Sequence, residues 1–134
     1  MMYSRTVLDH FDSPRNVGSL ADADADAEVE NPVCGDSLRL WLRIRDGVID
    51  RATWQGRGCA PALAAASLTS ELLTGMRLEQ ARELDRGAID EALGGLPARK
   101  AHAATLAVSA IRAAIANYET RVANGTAPGK ENES

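Results

Sequence analysis

The sequence has few aromatic residues, only two cysteines and no long apolar segment. Aromatic residues make up 4% of its 134 positions, so a core has to be built from Leu, Ile, Val and Ala. No apolar run approaches the roughly 20 residues of a membrane span. Polar and charged residues from Ser4 onward leave no signal-peptide core. We therefore expect one cytoplasmic domain that has no contact with the membrane.

The charge balance and the missing motifs exclude further classes of function. The net charge is −4 and the pI is about 5.1, which argues against nucleic acid as the main partner. There is no Ser/His/Asp arrangement, phosphate-binding loop or paired-carboxylate site. We expect that this chain alone performs no turnover chemistry and is not an enzyme. In a reducing compartment, two cysteines favour metal binding, catalysis or burial over a disulfide.

Helical periodicity recurs along the chain. Tyr3, Val7 and Phe11 recur at helical spacing and predict a short amphipathic helix. The alternating Ala–Asp run from Ala21 to Ala27 has little to bury, and we interpret it as a solvated acidic loop. Further helices are predicted from Ala60 to about Thr74, from Leu78 to Leu84, from Ile89 to Leu93, and from Ala104 to Val122, the last being the longest.

A β-hairpin is predicted between the two cysteines. Apolar and polar residues alternate strictly from Leu38 to Arg45, which is typical of a half-buried strand. Asp46-Gly47 is a two-residue turn signal, and residues 48–55 return as a second strand. Cys34 comes just before this hairpin and Cys59 just after it. Because the outer ends of a hairpin lie side by side, we expect the two cysteines to be neighbours.

Cys59 is expected at the start of a helix. It follows Gly56-Arg57-Gly58, and Pro61 suits the first helical turn, where a missing N–H group costs nothing. Unpaired N–H groups and the helix dipole favour a thiolate at that position. Cys59 is therefore a candidate metal ligand and a candidate sulfur nucleophile.

Four side chains make up a candidate metal site: Cys34, Asp36, Cys59 and His102. Two thiolates, a carboxylate and an imidazole suit tetrahedral zinc, and thiolate-rich sites also suit iron–sulfur clusters. At about 100° per residue, His102 points nearly opposite the apolar stripe of its helix, which disfavours a core histidine. A solvated surface histidine and two incidental cysteines in a metal-free protein remain as alternatives.

Taken in order, these motifs resemble those of IscU/NifU-type iron–sulfur cluster assembly scaffolds, from about Met1 to Arg121. The resemblance rests on these segments: Tyr3-Ser4 through His10, Ser13–Gly18, Cys34-Gly35-Asp36, Gly58-Cys59 before the helix with Ser67, Leu96-Pro97, and Lys100-Ala101-His102. It implies an α+β fold, with a small three-stranded antiparallel sheet packed against several helices. The scaffold domain would span residues 1–123, followed by a flexible tail at 124–134. The uninterrupted linker is more similar to the IscU/NifU type than to the SufU type.

The resemblance also implies ligands and partners. Cys34 and Cys59 match two cysteine ligands of a [2Fe–2S] cluster, iron or zinc. Asp36 matches the aspartate that keeps the cluster labile, and His102 matches the histidine beside the third cysteine. The implied partners are a cysteine desulfurase, apo iron–sulfur proteins and a DnaK-type chaperone.

The chain departs from the family pattern in three ways, at four positions. Ala103 replaces the third cysteine, which in much of the family accepts persulfide sulfur. Ala98 and Arg99 replace a proline and a valine of the chaperone motif, and Pro61 is unusual in its helix. The first hypothesis is a scaffold that passes clusters to apo-proteins. The alternative is a divergent zinc-binding or regulatory module of the same system that has lost persulfide acceptance.

Overall fold

Three antiparallel strands and five α-helices form the described part of the chain. The computed structural model describes residues 3–32, 35–97 and 100–125. In chain order the elements are α1 (Arg5–Asp12), β1 (Ala25–Asn31), β2 (Asp36–Arg45), β3 (Val48–Arg57), α2 (Ala60–Leu73), α3 (Leu78–Glu83), α4 (Arg86–Ala92) and α5 (His102–Ala123). This architecture confirms the α+β prediction and the long C-terminal helix.

The predicted hairpin is formed by β2 and β3. The two strands pair in antiparallel register from Ser37 with Arg57 to Arg45 with Val48. In the turn, Asp46 has φ 54° and Gly47 has φ 77°. A two-residue hairpin turn needs this left-handed backbone because it matches the twist of the flanking strands. A register shift after Arg43 was not anticipated. The strand order is β1-β2-β3, with β2 in the centre.

The prediction of a solvated loop for Ala21–Ala27 is wrong in its second half. Strand β1 begins at Ala25, and both Ala25 and Ala27 are buried. The Ala–Asp alternation is itself a period-two pattern: the small alanines face α5, and the aspartates face outward. Asp26 lies 2.6 Å from Arg39 and 3.3 Å from Arg121, so its charge is balanced in the sheet. Alanine serves here as an inward-facing strand residue because α5 covers it.

The core lies between the inner face of the sheet and the helices. Helix α5 packs on β1 and β2, whereas α2 packs on β3 and on α5. Inward strand residues include Leu38, Leu40, Leu42, Ala52 and Trp54. The facing side of α2 is made of alanines, whose small side chains let the helix approach closely. As the low aromatic content predicts, the core is mainly aliphatic.

Most predicted helices agree with the structure. Helix α1 forms as expected, but it buries Val7 and leaves Phe11 and Leu8 about half exposed. Helices α2 and α3 end within one residue of the predicted limits. The turn predicted at Ile89–Leu93 is a longer helix, α4, which begins after the capping residue Asp85.

Helix α5 extends the predicted segment back to His102. In the described residues no helix combines the length and the apolar character that crossing a bilayer requires. The chaperone-motif positions 98 and 99 lie outside the described residues. The division of the chain at residue 123 stays a prediction.

Candidate metal centre

Asp36 contributes a buried carboxylate. It is the first residue of β2, and it points to the inner face because Leu38 and Leu40 alternate with outward polar residues on the same strand. Its side chain is only 6% exposed. A carboxylate in that position is costly unless it accepts hydrogen bonds or binds a cation. The end of the sheet therefore holds a buried carboxyl group that requires partners.

Cys59 caps helix α2, as predicted. It adopts extended backbone angles, makes no side-chain capping hydrogen bond, and is followed by Pro61 in the first turn. Its Sγ atom lies 3.9 Å from Asp36 Oδ2. The thiol is partly exposed, so it faces the carboxylate on one side and remains accessible on the other.

Gly58 allows Asp36 and Cys59 to approach each other. A Cβ atom at residue 58 would lie 2.6 Å from Asp36 Oδ1 and 2.8 Å from Asp36 Cγ. Such distances are well inside van der Waals contact, so any larger residue would displace the carboxylate. In the sequence, Gly58 is apparent only as the residue before Cys59. Its contact with a side chain 22 positions away (58 − 36) has no signal in the local sequence.

His102 completes the group from helix α5. It is the first residue of that helix, and its Nε2 atom lies 3.2 Å from Asp36 Oδ2. The side chain is 22% exposed, so the alternative of a solvated surface histidine is wrong. The predicted direction away from the apolar stripe is confirmed, because the stripe faces the core whereas His102 faces the strand end.

An oxygen, a sulfur and a nitrogen atom from three different parts of the chain therefore converge. One ligand atom each from Asp36, Cys59 and His102 lies within 4.8 Å of the others. A carboxylate oxygen, a thiolate sulfur and an imidazole nitrogen can share a tetrahedral ion such as zinc. Both the thiol and the imidazole make their only described side-chain hydrogen bonds to the same carboxylate oxygen.

Cys34, the fourth predicted ligand, lies outside the described residues. Its predicted proximity to Cys59 therefore stays a prediction. Its neighbours Gly35 and Asp36 are described, and the Gly35 N–H donates to the Asn31 carbonyl at 2.7 Å. Ala103, in the position of the third cysteine, is 1% exposed and offers no donor atom.

A second polar cluster lies between α1, the turn after it and α2. His10 Nδ1 lies 2.7 Å from Ser67 Oγ, and His10 Nε2 lies 3.4 Å from Glu71 Oε1. The Arg15 backbone N–H donates to the same Ser67 hydroxyl at 2.9 Å. We call His10, Arg15, Ser67 and Glu71 the helix-linking cluster. It contains a serine, a histidine and a carboxylate in contact, but Ser67 is fully buried, so no substrate reaches its hydroxyl.

The environment of His10 keeps its imidazole neutral. Burial is the main cause that lowers the pKa of His10, and the Arg15 guanidinium lowers this pKa further, whereas Glu71 and Asp9 act in the opposite direction. In the sequence, His10 and Ser67 stand out only as parts of the segments that carry the family resemblance. Their contact joins residues 57 positions apart, which no local pattern predicts.

A comparison with known sequences gives a family match over most of the chain. The model of the family described as NifU-like N terminal domain matches residues 2–125. The chain is 45% identical over 117 residues to the iron–sulfur cluster assembly scaffold protein IscU 1 of Archaeoglobus fulgidus, covering 87% of this chain and 76% of the relative. It is 41% identical to the IscU scaffold protein of Haemophilus influenzae, covering 90% and 98% of the two chains.

Solved structures show the same fold. A nitrogen-fixing NifU-like protein (N-terminal) from Brucella abortus superimposes with a TM-score of 0.74 at 23% identity, covering 90% of this chain and 96% of that chain. A putative iron–sulfur cluster assembly scaffold protein for the SUF system from Fervidobacterium islandicum gives a TM-score of 0.58 at 21% identity, covering 96% and 91%. At these identities the likeness concerns the fold alone.

Proposed function

Because the chain belongs to the NifU-like N-terminal domain family, we propose that it is a scaffold on which an iron–sulfur cluster is assembled and then passed to apo-proteins. The observation that carries this proposal is the convergence of Asp36, Cys59 and His102 within 4.8 Å at one end of the sheet. Iron and sulfide are substrates here, and the cluster is a product that leaves. The chain supplies binding and positioning and performs no turnover chemistry alone.

The three donors have different roles in this proposal. Cys59, together with Cys34, supplies the soft thiolates that iron–sulfur clusters prefer. Asp36 supplies a harder oxygen ligand, which exchanges more easily and suits a cluster that must be released. In the metal-free protein His102 Nε2 lies 3.2 Å from Asp36 Oδ2 and orients that carboxylate, and His102 offers a ligand nitrogen once this contact gives way to the metal. With iron absent, zinc occupies the same donor set.

The partners follow from the same proposal. A cysteine desulfurase supplies sulfur, and apo iron–sulfur proteins receive the cluster. Since Ala103 has no sulfur atom, the desulfurase delivers persulfide sulfur to Cys34 or Cys59, or a thiol reductant reduces its persulfide and releases free sulfide. Delivery by a DnaK-type chaperone would use a motif altered at Ala98 and Arg99. All these steps take place in the cytoplasm.

Reconstitution tests the scaffold proposal directly. The protein is incubated under anaerobic conditions with a cysteine desulfurase, ferrous iron and cysteine, and the visible absorption is recorded. The expected result is a cluster chromophore that Cys59→Ser abolishes. A three-cysteine relative is the positive control. Colourless protein under conditions where that relative becomes coloured would contradict the proposal.

One observation favours the second candidate, a zinc-binding or regulatory module of the same assembly system. Ala103 is buried at 1% exposure beside His102, so nothing replaces the missing thiol at that position. Ala103→Cys distinguishes the two candidates, with Ala103→Ser as a control of nearly equal size. A large gain in cluster formation specific to the cysteine variant favours the module. An unchanged yield favours the scaffold.

A further inference from the structure

A polar groove lies on the outer face of the sheet, beside the candidate metal centre. It encloses about 260 Å³ and is lined by Glu28, Ser37, Arg39, Gln55, Gly56 and Arg57. These side chains come from all three strands. We call this feature the arginine groove.

The arginine groove and the candidate metal centre share one end of the sheet. Ser37 follows the ligand Asp36 directly and pairs with Arg57 across the hairpin. Arg57 in turn precedes Gly58 and Cys59 in the chain. Successive strand residues point to opposite faces, so Asp36 faces the core side and Ser37 faces the groove. The strand end, where Ser37 adjoins Asp36 and Arg57 lies two residues before Cys59, is the route by which a molecule in the groove would approach the metal centre.

The two guanidinium groups of the groove differ in how far they are already paired. Arg39 lies 2.6 Å from Asp26 and 3.9 Å from Glu28, and it stacks over the Trp41 ring at 5.2 Å. Arg57 is exposed and has no ion pair or side-chain hydrogen bond with any residue that the structure describes. An unpaired guanidinium offers a carboxylate two parallel hydrogen bonds.

The other groups of the groove fit a carboxylate ligand. The Ser37 hydroxyl and the Gln55 amide can donate hydrogen bonds. Glu28 is the one anionic group of the lining, and it lies 3.9 Å from Arg39, whose nearer partner is Asp26. The volume lies below the roughly 300–1,000 Å³ of sites for drug-sized ligands, which favours a small molecule over a polypeptide segment.

The candidate metal centre indicates which chemical group the other end of the ligand carries. The whole sequence has only two cysteines, whereas iron–sulfur clusters are usually held by four thiolates. A thiol that reaches the centre from outside would add a soft ligand where Asp36 supplies a hard one.

We propose that the arginine groove binds a small thiol that carries a carboxylate and directs its sulfur to the metal centre. The carboxylate pairs with Arg57. The thiol loses its proton to solvent, the resulting thiolate binds the metal, and the bond from the metal to an Asp36 oxygen breaks. No electrons are transferred. The thiol step rests on the proposed function, whereas the carboxylate site does not.

The carboxylate site is tested on metal-free protein with S-methylglutathione, which keeps the carboxylates of glutathione but has no free thiol. The expected result in an NMR titration is saturable binding with shifts at Ser37, Gln55 and Arg57. Arg57→Glu should weaken this binding about tenfold or more, and Arg57→Lys by less. Arg51→Glu is the matched control, because Arg51 is an exposed residue of the same strand at a distance of about six residues, or roughly 20 Å.

The thiol step is tested on zinc-loaded protein with reduced glutathione. Reduced glutathione should bind more tightly than the S-methyl form, and 2-mercaptoethanol, which has no carboxylate, more weakly. Absent binding of S-methylglutathione, or equal losses in Arg57→Glu and Arg51→Glu, would overturn the carboxylate site. Equal affinity for reduced and S-methyl glutathione would overturn the thiol step. A protein that fails to load zinc contradicts the proposed function, while the metal-free titration still decides the carboxylate site.

Discussion

The candidate metal centre and the helix-linking cluster contain similar residues but differ in how fully those residues are paired. Each has a histidine, a carboxylate and a small nucleophilic side chain, and in each the nucleophilic side chain comes from α2 or from its cap. In the helix-linking cluster, the Ser67 hydroxyl is shared by His10 at 2.7 Å and the Arg15 N–H at 2.9 Å. In the metal centre, Cys59 and His102 share one oxygen of Asp36 at 3.9 and 3.2 Å.

This difference separates a structural cluster from a binding site. A buried hydroxyl between two partners has satisfied its hydrogen-bonding capacity and joins the elements that carry those partners. Two partly exposed donors that converge on a single carboxylate oxygen retain capacity for a further ligand. The same residue types thus join α1 and α2 in one place and form the candidate metal centre in the other.

The strongest test of this difference is to replace the histidine of each cluster by alanine. His102→Ala removes a donor atom and the orienting contact to Asp36. We expect zinc affinity to fall by about 100-fold or more, with little change in the stability of the metal-free protein. Competition with a chelator measures the affinity, and thermal unfolding measures the stability. Unchanged affinity would show that His102 is not part of the site.

His10→Ala should have the opposite outcome. The substitution leaves the buried Ser67 hydroxyl short of a partner and opens space between α1 and α2. We expect the free energy of unfolding to fall by about 1–3 kcal/mol, while zinc affinity stays unchanged. Denaturant unfolding with and without zinc gives both quantities. A loss of zinc affinity as large as that of His102→Ala would mean that the two clusters are not independent.

Gly58→Ala tests the position of the Asp36 carboxylate without removing any ligand. The added methyl group would lie 2.6 Å from Asp36 Oδ1, so the carboxylate must shift. We expect zinc affinity to fall about tenfold, since displacing a ligand costs about as much as removing a group that orients one. Gly87→Ala is the control: its methyl group would meet only Asp85 Oδ1 at 3.5 Å. If both variants bind zinc like the parent, the close packing of Gly58 on Asp36 has no role.

The smallest expected effect is on how the free energy of unfolding depends on pH. The native pKa of His10 lies below its ordinary value, whereas in the unfolded chain this pKa is about 6.5. Below pH 6.5 the unfolded state therefore binds more protons, and the free energy of unfolding falls as pH is lowered towards the native pKa. Asp9, Arg15 and Glu71 are the charged groups facing the imidazole. Burial, together with Arg15, lowers the pKa of His10 by more than the two acids raise it. We expect His10→Gln to flatten this slope between pH 7.5 and 5.5 in zinc-free protein. An equal slope in both proteins would contradict the assignment.

Local patterns predicted the elements that local physics controls. Strict alternation gave the β2–β3 hairpin, Asp46-Gly47 gave its turn, and the glycine and proline around Cys59 placed that residue at a helix start. Strand β1 was missed because an Ala–Asp repeat has little hydrophobic contrast. Its alanines become core residues only because α5 covers them.

The grouping of the site residues came from the resemblance and from hairpin geometry together. Asp36 and Cys59 flank the hairpin, so the sequence could place them at one end of the sheet. The contact between His102 and Asp36 joins two elements far apart in the chain, and the motif order of the family indicated it. The His10–Ser67 contact and the arginine groove depend on packing and register between elements, and neither has a local sequence signal.

The most direct test of the metal centre is X-ray absorption spectroscopy of the zinc-loaded protein. With Cys34, Asp36, Cys59 and His102 as ligands, the expected first shell has two sulfurs at about 2.3 Å and two nitrogen or oxygen atoms at about 2.0–2.1 Å. Cys59→Ser should reduce the sulfur count by one. A first shell of nitrogen and oxygen alone, or a sulfur count that Cys59→Ser leaves unchanged, would contradict the proposed centre.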